Sequence, residues 1–245
     1  MATDLRWRRI LLKLSGEALT GKGGFGIDPA VTSRIADEIK QVVELGGQVG
    51  VVVGGGNFVR GAQIASSGLD RVSGDHMGML ATVMNALALN AALTSRGVPA
   101  RVLSAIAVPT ICDSFTQRAA LGHFQAGRVV LFAGGTGNPF FTTDTGAVLR
   151  AVEMGCEVVM KGTQVDGVYS ADPKTDPTAS RFDRLTHREV LARGLSVMDA
   201  TAIALARDNR IPVSVFSIGE PGAFVAVAAG GGRSTLVTVE DANSG

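Results

Sequence analysis

A lysine stands near the end of a run that otherwise reads as a buried strand: Arg8-Arg9-Ile10-Leu11-Leu12-Lys13-Leu14-Ser15-Gly16. Apolar residues on both sides commit the segment to the interior. A charge carried there is costly unless it is paired, so any fold this chain adopts must supply Lys13 with a partner. A Ser-Gly turn is expected directly after it. A second lysine, Lys161, ends another apolar run, Glu157-Val158-Val159-Met160-Lys161-Gly162-Thr163, and two glycine loops lie between them in the chain. Together these segments suit a site that holds phosphates.

The spacing Gly16, Gly21, Lys22 imitates a phosphate loop but fails at its last position, where Gly23 replaces the Ser or Thr that would meet magnesium. A helix should also start there, and Gly23, Gly24 and Gly26 disfavour one. Residues 21–26 are therefore expected as a surface turn.

A chain of 245 residues that is 46% hydrophobic can bury a large core as one domain, 1–245. Its formal net charge of +1 gives no field for nucleic acid or a membrane surface, and 5% aromatic residues give little surface for stacking bases. Cys112 and Cys156 are far apart, which excludes a disulfide framework or CxxC zinc site and points to reduced thiols in a cytoplasmic protein. The apolar stretch after Arg6, Arg8 and Arg9 is interrupted at Lys13, too early for a signal sequence. No segment is expected to be long and apolar enough to span a bilayer.

Strands are expected over 10–14, 48–53, 100–103, 128–132, 157–161, 213–216 and 235–239. Helices are expected over 29–45, 76–96, 115–126, 145–154, 188–192 and 200–208. Asp28 before Pro29 is a helix start, and Gly46-Gly47 and Gly97 are helix stops. Continuously apolar strands alternating with helices imply an α/β fold, a three-layer α/β/α sandwich with a mainly parallel central sheet. Ligand loops should then lie at the strand C-termini. The polar stretch 166–184 reads as a rim or lid, and the tail from Glu240 as frayed.

Val53-Gly54-Gly55-Gly56-Asn57 runs from a strand into three glycines and then an expected helix, which is either a tight turn with no ligand or an arrangement that offers backbone amides to a phosphate. Arg60 is spaced to point back over that loop. Residues 131–144 repeat the pattern and end on Asp144, either a helix cap or a functional carboxylate. Asn138, Thr142 and Thr143 beside Phe140 and Phe141 suit a planar ligand. Asp75 is either the cap of the long helix or a ribose ligand, and Asp199 either a cap or the partner of a lysine. Tyr169 could stack on a base, while Asp166-Gly167 and Asp172-Pro173 are also turn signals. Met77, Met79 and Met84 read as packing.

Taken together, KLSGEAL at 13–19, VGGGNFVRG at 53–61, GDHMGMLATVMN at 74–85, GTGNPFFTTD at 135–144 and VDGVYSADP at 165–173 resemble the amino acid kinase family, in particular its members that phosphorylate UMP. That resemblance runs from about Arg8 to Val239. It implies phosphoryl transfer from ATP, with Mg2+ carried by the nucleotide rather than by a protein metal site, to UMP. The implied catalytic residues are Lys13, Asp144, Lys161 and Asp199, with Asp199 orienting a lysine and Asp144 serving the acceptor or helping to place magnesium. ATP would meet Lys13, Leu14, Ser15, Gly16, Gly56, Arg60, Thr163, Tyr169 and Asp172. UMP would meet Gly55, Asp75, Thr136, Gly137, Asn138, Pro139, Phe140, Phe141, Thr142 and Thr143. Two lobes, 8–155 on the acceptor side and 156–240 on the ATP side, go with this division. The resemblance further implies a homohexamer activated by GTP and inhibited by UTP. GTP would involve Gly21, Lys22, Gly23, Gly24, Phe25, Gly26, Arg101 and Arg128, although Thr94 and Thr116 stand where other members carry a histidine and an aromatic residue. Two alternatives are a family member that phosphorylates an acyl or carbamoyl group and a non-catalytic nucleotide or oxyanion store.

Overall fold

Strand β1 (Arg9–Leu14) lies at the centre of the molecule, with β2 (Gln48–Val53) parallel on one side and β6 (Val158–Thr163) parallel on the other. The structure, a computed structural model, describes residues 4–21, 23–59 and 68–239. Further strands are β3 (Ala100–Ser104), β4 (Asp113–Ser114), β5 (Val129–Ala133), β9 (Arg184–Thr186), β10 (Val213–Ser217) and β11 (Ser234–Thr238). They complete one sheet in the order β4-β3-β5-β2-β1-β6-β10-β11-β9, in which only β10 and β11 pair antiparallel. A separate antiparallel pair, β7 (Val168–Tyr169) and β8 (Arg181–Phe182), stands off it.

Helices α1 (Pro29–Glu44), α2 (Arg71–Thr94) and α7 (Ala223–Ala228) cover one face, where Ile10, Leu12 and Leu14 meet Ile35, Leu89 and Phe224. Helices α3 (Gln117–Gln125), α4 (Thr143–Met154), α5 (His187–Ala192) and α6 (Ala200–Asp208) cover the other, where Leu11 and Val159 meet Phe124, Val148 and Ile203. Each such apolar side chain contributes about 1.5–3 kcal/mol by leaving water. Side chains alternate across a strand, so Lys13 emerges on the face of Leu11, the face covered by α4. The chain leaves β1 toward β2 on one side and reaches β6 on the other. That reversal opens a crevice at the strand C-termini, where Lys13, the Gly54–Gly56 loop and Lys161 all lie.

Several sequence expectations are corrected. Helix α2 starts at Arg71 rather than at residue 76, because Asp70 accepts a hydrogen bond from the Ser73 N–H and caps it. Asp75 is therefore one turn inside the helix and is not its cap. The helix runs through Gly74, which is buried. Thr142, not Asp144, caps α4. Residues 55–58 form a turn rather than a helix start, and Gly16–Leu19 form a short 3₁₀ helix rather than a simple turn. Strands β4, β7, β8 and β9 and helix α7 were not expected. Helix α2 is also long and apolar enough to cross a membrane by length and composition, contrary to expectation, although Leu89 and Leu93 on it are buried in the core. Lys22, Arg60 and the tail from Glu240 lie outside the described residues.

Candidate active site

Lys13 and Lys161 face each other in register on β1 and β6, so both ammonium groups stand on the same face. Asp144, in the first turn of α4, comes down onto that face and joins them. Its carboxylate is 2.6 Å from Lys13 Nζ and 2.9 Å from Lys161 Nζ. The Lys13 side chain is 7% exposed and Asp144 13%, so this is a nearly dry cluster of two cations and one anion. Burial lowers the pKa of Lys13, against the pull of Asp144. Burial alone would raise Asp144, but Lys13 and Lys161 overcome it and hold the carboxyl below its ordinary value. Two lysines sharing one carboxylate leave an uncompensated positive charge, which is what an incoming phosphate would neutralise.

Lys161 also donates to the Val197 carbonyl at 2.6 Å. Asp199, two residues on, caps α6 through the Ala202 N–H and accepts from the Thr142 and Thr145 hydroxyls. Its carboxylate forms no ion pair with a lysine among the described residues. It acts on Lys13 only through space, raising its pKa. Of the two readings of Asp199, the cap is what the structure shows; in place of a lysine its carboxylate meets the hydroxyls of Thr142 and Thr145, at the start of the helix that carries Asp144.

A cavity of about 170 Å³ lies between the Gly55–Gly56 loop, helix α2 and the start of α4. Of the residues assigned to UMP, Gly55, Asp75, Thr136, Phe141, Thr142 and Thr143 line it, and Gly56 lines it too. Gly137, Asn138, Pro139 and Phe140 are not in its wall. Phe140 is 65% exposed and has a backbone φ of 71°, unusual for a bulky residue. Its N–H donates to Asp75 Oδ2 at 2.7 Å, which fixes the loop over the cavity. Arg71 grips the same carboxylate and lies over the Phe140 ring.

A second cavity, about 420 Å³, lies between residues 165–173 and the turn after α5. Tyr169 and Asp172 line it. The Tyr169 hydroxyl donates to Asp166 at 2.6 Å, and the Asp172 carboxylate accepts from the Lys174 N–H at 2.9 Å. Thr163 ends β6, and Leu14, Ser15 and Gly16 follow Lys13, so these approach from the strand side. A Cβ on Gly16 would lie 2.4 Å from Asn57 Oδ1 and 2.7 Å from Gly54 O, so only glycine lets this turn pack against the Gly54–Gly56 loop.

Arg101 and Arg128 come together around His123, whose pKa is lowered by burial and then by Arg128 and Arg101. His123 Nδ1 lies 3.1 Å from Arg128. The segment 21–26 contacts the glycine loop: the Gly26 N–H donates to the Asn57 carbonyl. Phe25 is exposed and edge-on to Phe58.

Sequence reasoning missed Gly78 and Thr82 in the first cavity, and Arg193 and Ser196 in the second. Gly74, Gly78 and Thr82 are spaced four apart, a stripe of small residues on one helix face that was legible. Arg193 and Ser196 belong to a turn whose position depends on α5, and no local signal marks them.

Residues 8–217 match the amino acid kinase family. The chain is 64% identical to the uridylate kinase of Rhizobium meliloti (strain 1021) over 95% of its own length and 97% of that relative. Among solved structures it resembles the UMP kinase of Bacillus anthracis, with a TM-score of 0.92 and 36% identity over 96% of this chain and 97% of that one. The UMP kinase of Ureaplasma parvum gives 0.91 and 36%, covering 96% and 100%.

Proposed function

The chain belongs to the amino acid kinase family, and we propose that it phosphorylates UMP with ATP, giving UDP and ADP. The observation that carries this reading is the Lys13–Asp144–Lys161 cluster at the C-terminal ends of the strands, where β2 runs into the Gly54–Gly56 loop. UMP enters the smaller cavity, with its phosphate toward Gly55 and its uridine between Asp75 and the loop from Thr136 to Thr143. ATP lies across residues 13–16, Gly56 and Thr163, with its base toward Tyr169 and Asp172. Arg60 follows the glycine loop in sequence, outside the described residues, and serves ATP or the UMP phosphate.

Phosphoryl transfer asks the protein mainly for positioning and charge compensation. Lys13 and Lys161 stabilise negative charge on the transferring group, already held in place by Asp144, so no reorganisation is needed at the moment of transfer. Asp199 keeps the α4 start, and with it Asp144, at the right height. Magnesium typically binds through one or two carboxylates plus substrate phosphates. Both oxygens of Asp144 are engaged by lysines, and no group of metal-ligating side chains surrounds it among the described residues, so a Mg2+ ion would arrive held by the phosphates of ATP. When bound, that ion shields the charge of the donor phosphates.

UDP formation is a step of pyrimidine nucleotide synthesis, and we read the enzyme as a cytoplasmic one. The acceptor side corresponds to residues 8–155 and the ATP side to 156–240. The subunits assemble as a homohexamer; the exposed Met77, Leu80 and Met84, spaced three and four apart along α2, support a contact between subunits there. GTP activates at the basic group of Arg101 and Arg128, with the segment 21–26 responding, and UTP inhibits.

The test is ADP release from MgATP with UMP, CMP, AMP, N-acetylglutamate or no acceptor. Turnover confined to UMP is the expected result. Turnover with N-acetylglutamate, or ATP binding without turnover, would replace this reading by one of the two alternatives.

A further inference from the structure

Asn57 and Asn85 are 1% and 0% exposed, and neither lines either nucleotide cavity. Their carboxamides face each other in a reciprocal pair: Asn57 Nδ2 donates to Asn85 Oδ1 at 2.9 Å and Asn85 Nδ2 to Asn57 Oδ1 at 2.8 Å. The remaining N–H of Asn57 donates to the Gly26 carbonyl at 2.8 Å, and that of Asn85 to the Gly54 carbonyl at 2.7 Å. All four amide hydrogens are thus used. A fully satisfied buried polar network of this kind defines one arrangement of the chain around it.

That arrangement bears on the glycine loop. Gly54 and Gly55 have no side chains with which to anchor their own peptide, and the chain has no cis bond here. In a planar trans peptide the C=O and N–H point in opposite directions. When Asn85 holds the Gly54 carbonyl, the Gly55 N–H points the opposite way, away from the carboxamide pair, and Gly55 lines the cavity. The gap is closed from the α2 side as well, since a Cβ on Gly55 would lie 2.6 Å from Gly78 O.

We propose that the Asn57–Asn85 carboxamide pair is the positioning device of this loop, aiming the Gly55 N–H at the phosphate of the acceptor nucleotide. The proposal rests on the reading of the smaller cavity as the UMP site. Both asparagines act through the loop and touch no substrate.

Titration calorimetry with UMP and with uridine separates the phosphate from the rest of the ligand. The wild-type protein is expected to bind UMP more tightly than uridine. Asn85→Leu is expected to weaken UMP by at least ~10-fold, the scale of losing one well-aimed hydrogen bond to a charged group. Uridine affinity should stay within about twofold. Asn57→Ser breaks the same pair from the loop side. It gives the same selective loss should Asn85→Leu not fold. Equal weakening of UMP and uridine, or no weakening of UMP, in a folded variant would overturn the proposal alone. A wild-type protein that binds the two equally would overturn the site reading and the proposal with it.

Discussion

The lysine cluster and the rim around Tyr169 use similar groups in opposite ways. At the cluster, Lys13, Asp144 and Lys161 hang from two central strands and a helix, and their charges are paired out of water. At the rim, Asp166 receives the Tyr169 hydroxyl and pairs at 2.9 Å with Arg233, whose side chain is 68% exposed. Arg233 is open to water, so its pair with Asp166, itself only 14% exposed, is worth little. Water cannot reach the cluster as readily, so each partner there depends on the others. Under the proposed function the difference has a use: charge that would meet a transferring phosphoryl group is preset, while the surface that would meet a base carries a water-exposed pair.

Asp144→Asn should break that contrast most severely. Two lysines would then face each other with no carboxylate between them. Chemical denaturation should show a loss of about 3 kcal/mol, and turnover should fall by more than ~100-fold. Near-wild-type stability would mean that the cluster is no better insulated than the rim. Lys13→Ala is the gentler cut, because Asp144 keeps Lys161. Turnover should drop at least ~100-fold with the circular dichroism spectrum unchanged, and an active variant would remove Lys13 from the chemistry.

Acid sharpens the comparison further. The Asp144 carboxyl is held below its ordinary 3.8, so its stabilising contribution is present above pH 3.8 and is lost as pH falls through the lower folded value. Lys13 is lowered from 10.5, so between its folded value and 10.5 the unfolded chain binds more protons than the folded one. Its contribution therefore rises as pH climbs toward 10.5. Denaturation midpoints across pH should show an acid limb that is shallower in Asp144→Asn. An unchanged limb would assign acid sensitivity to other carboxylates.

The smallest effect is expected at the rim. Tyr169→Phe keeps the ring and loses one hydrogen bond, so stability should change by less than about 1 kcal/mol, and the KM for ATP by no more than about threefold. A large rise in that KM would show that the hydroxyl, and not the ring face, serves the donor nucleotide.

Much of the fold was legible because long apolar runs have few places to go. All seven expected strands form, and the Asp28–Pro29 start and the stops at Gly46 and Gly97 hold, with φ of 88° and 75° at the two glycines. What escaped were β4, β7, β8 and β9, two or three residues each, which exist because a neighbouring strand offers hydrogen bonds. Helix α7 escaped for a related reason: Glu38 of α1, far away in the chain, accepts from the Phe224 N–H at its start. The α2 start was misplaced because Gly74 reads as a breaker, and burial against the sheet outweighs its roughly 1 kcal/mol penalty.

The same division runs through the site. The sequence alone determined that Lys13 needs a partner and that glycine loops end the central strands, since strand periodicity and the cost of a buried charge are local properties. Which carboxylate would meet Lys13, and that one aspartate would serve both lysines, only the tertiary structure decided. Asp144 is 131 residues from Lys13 in the chain, and it reaches the cluster because β1 and β6 pair in register beneath the first turn of α4. Likewise, two asparagines chosen by no local pattern meet only when α2 is laid across the sheet. Partners far apart in sequence are selected by packing, and packing is the one thing a linear pattern does not contain.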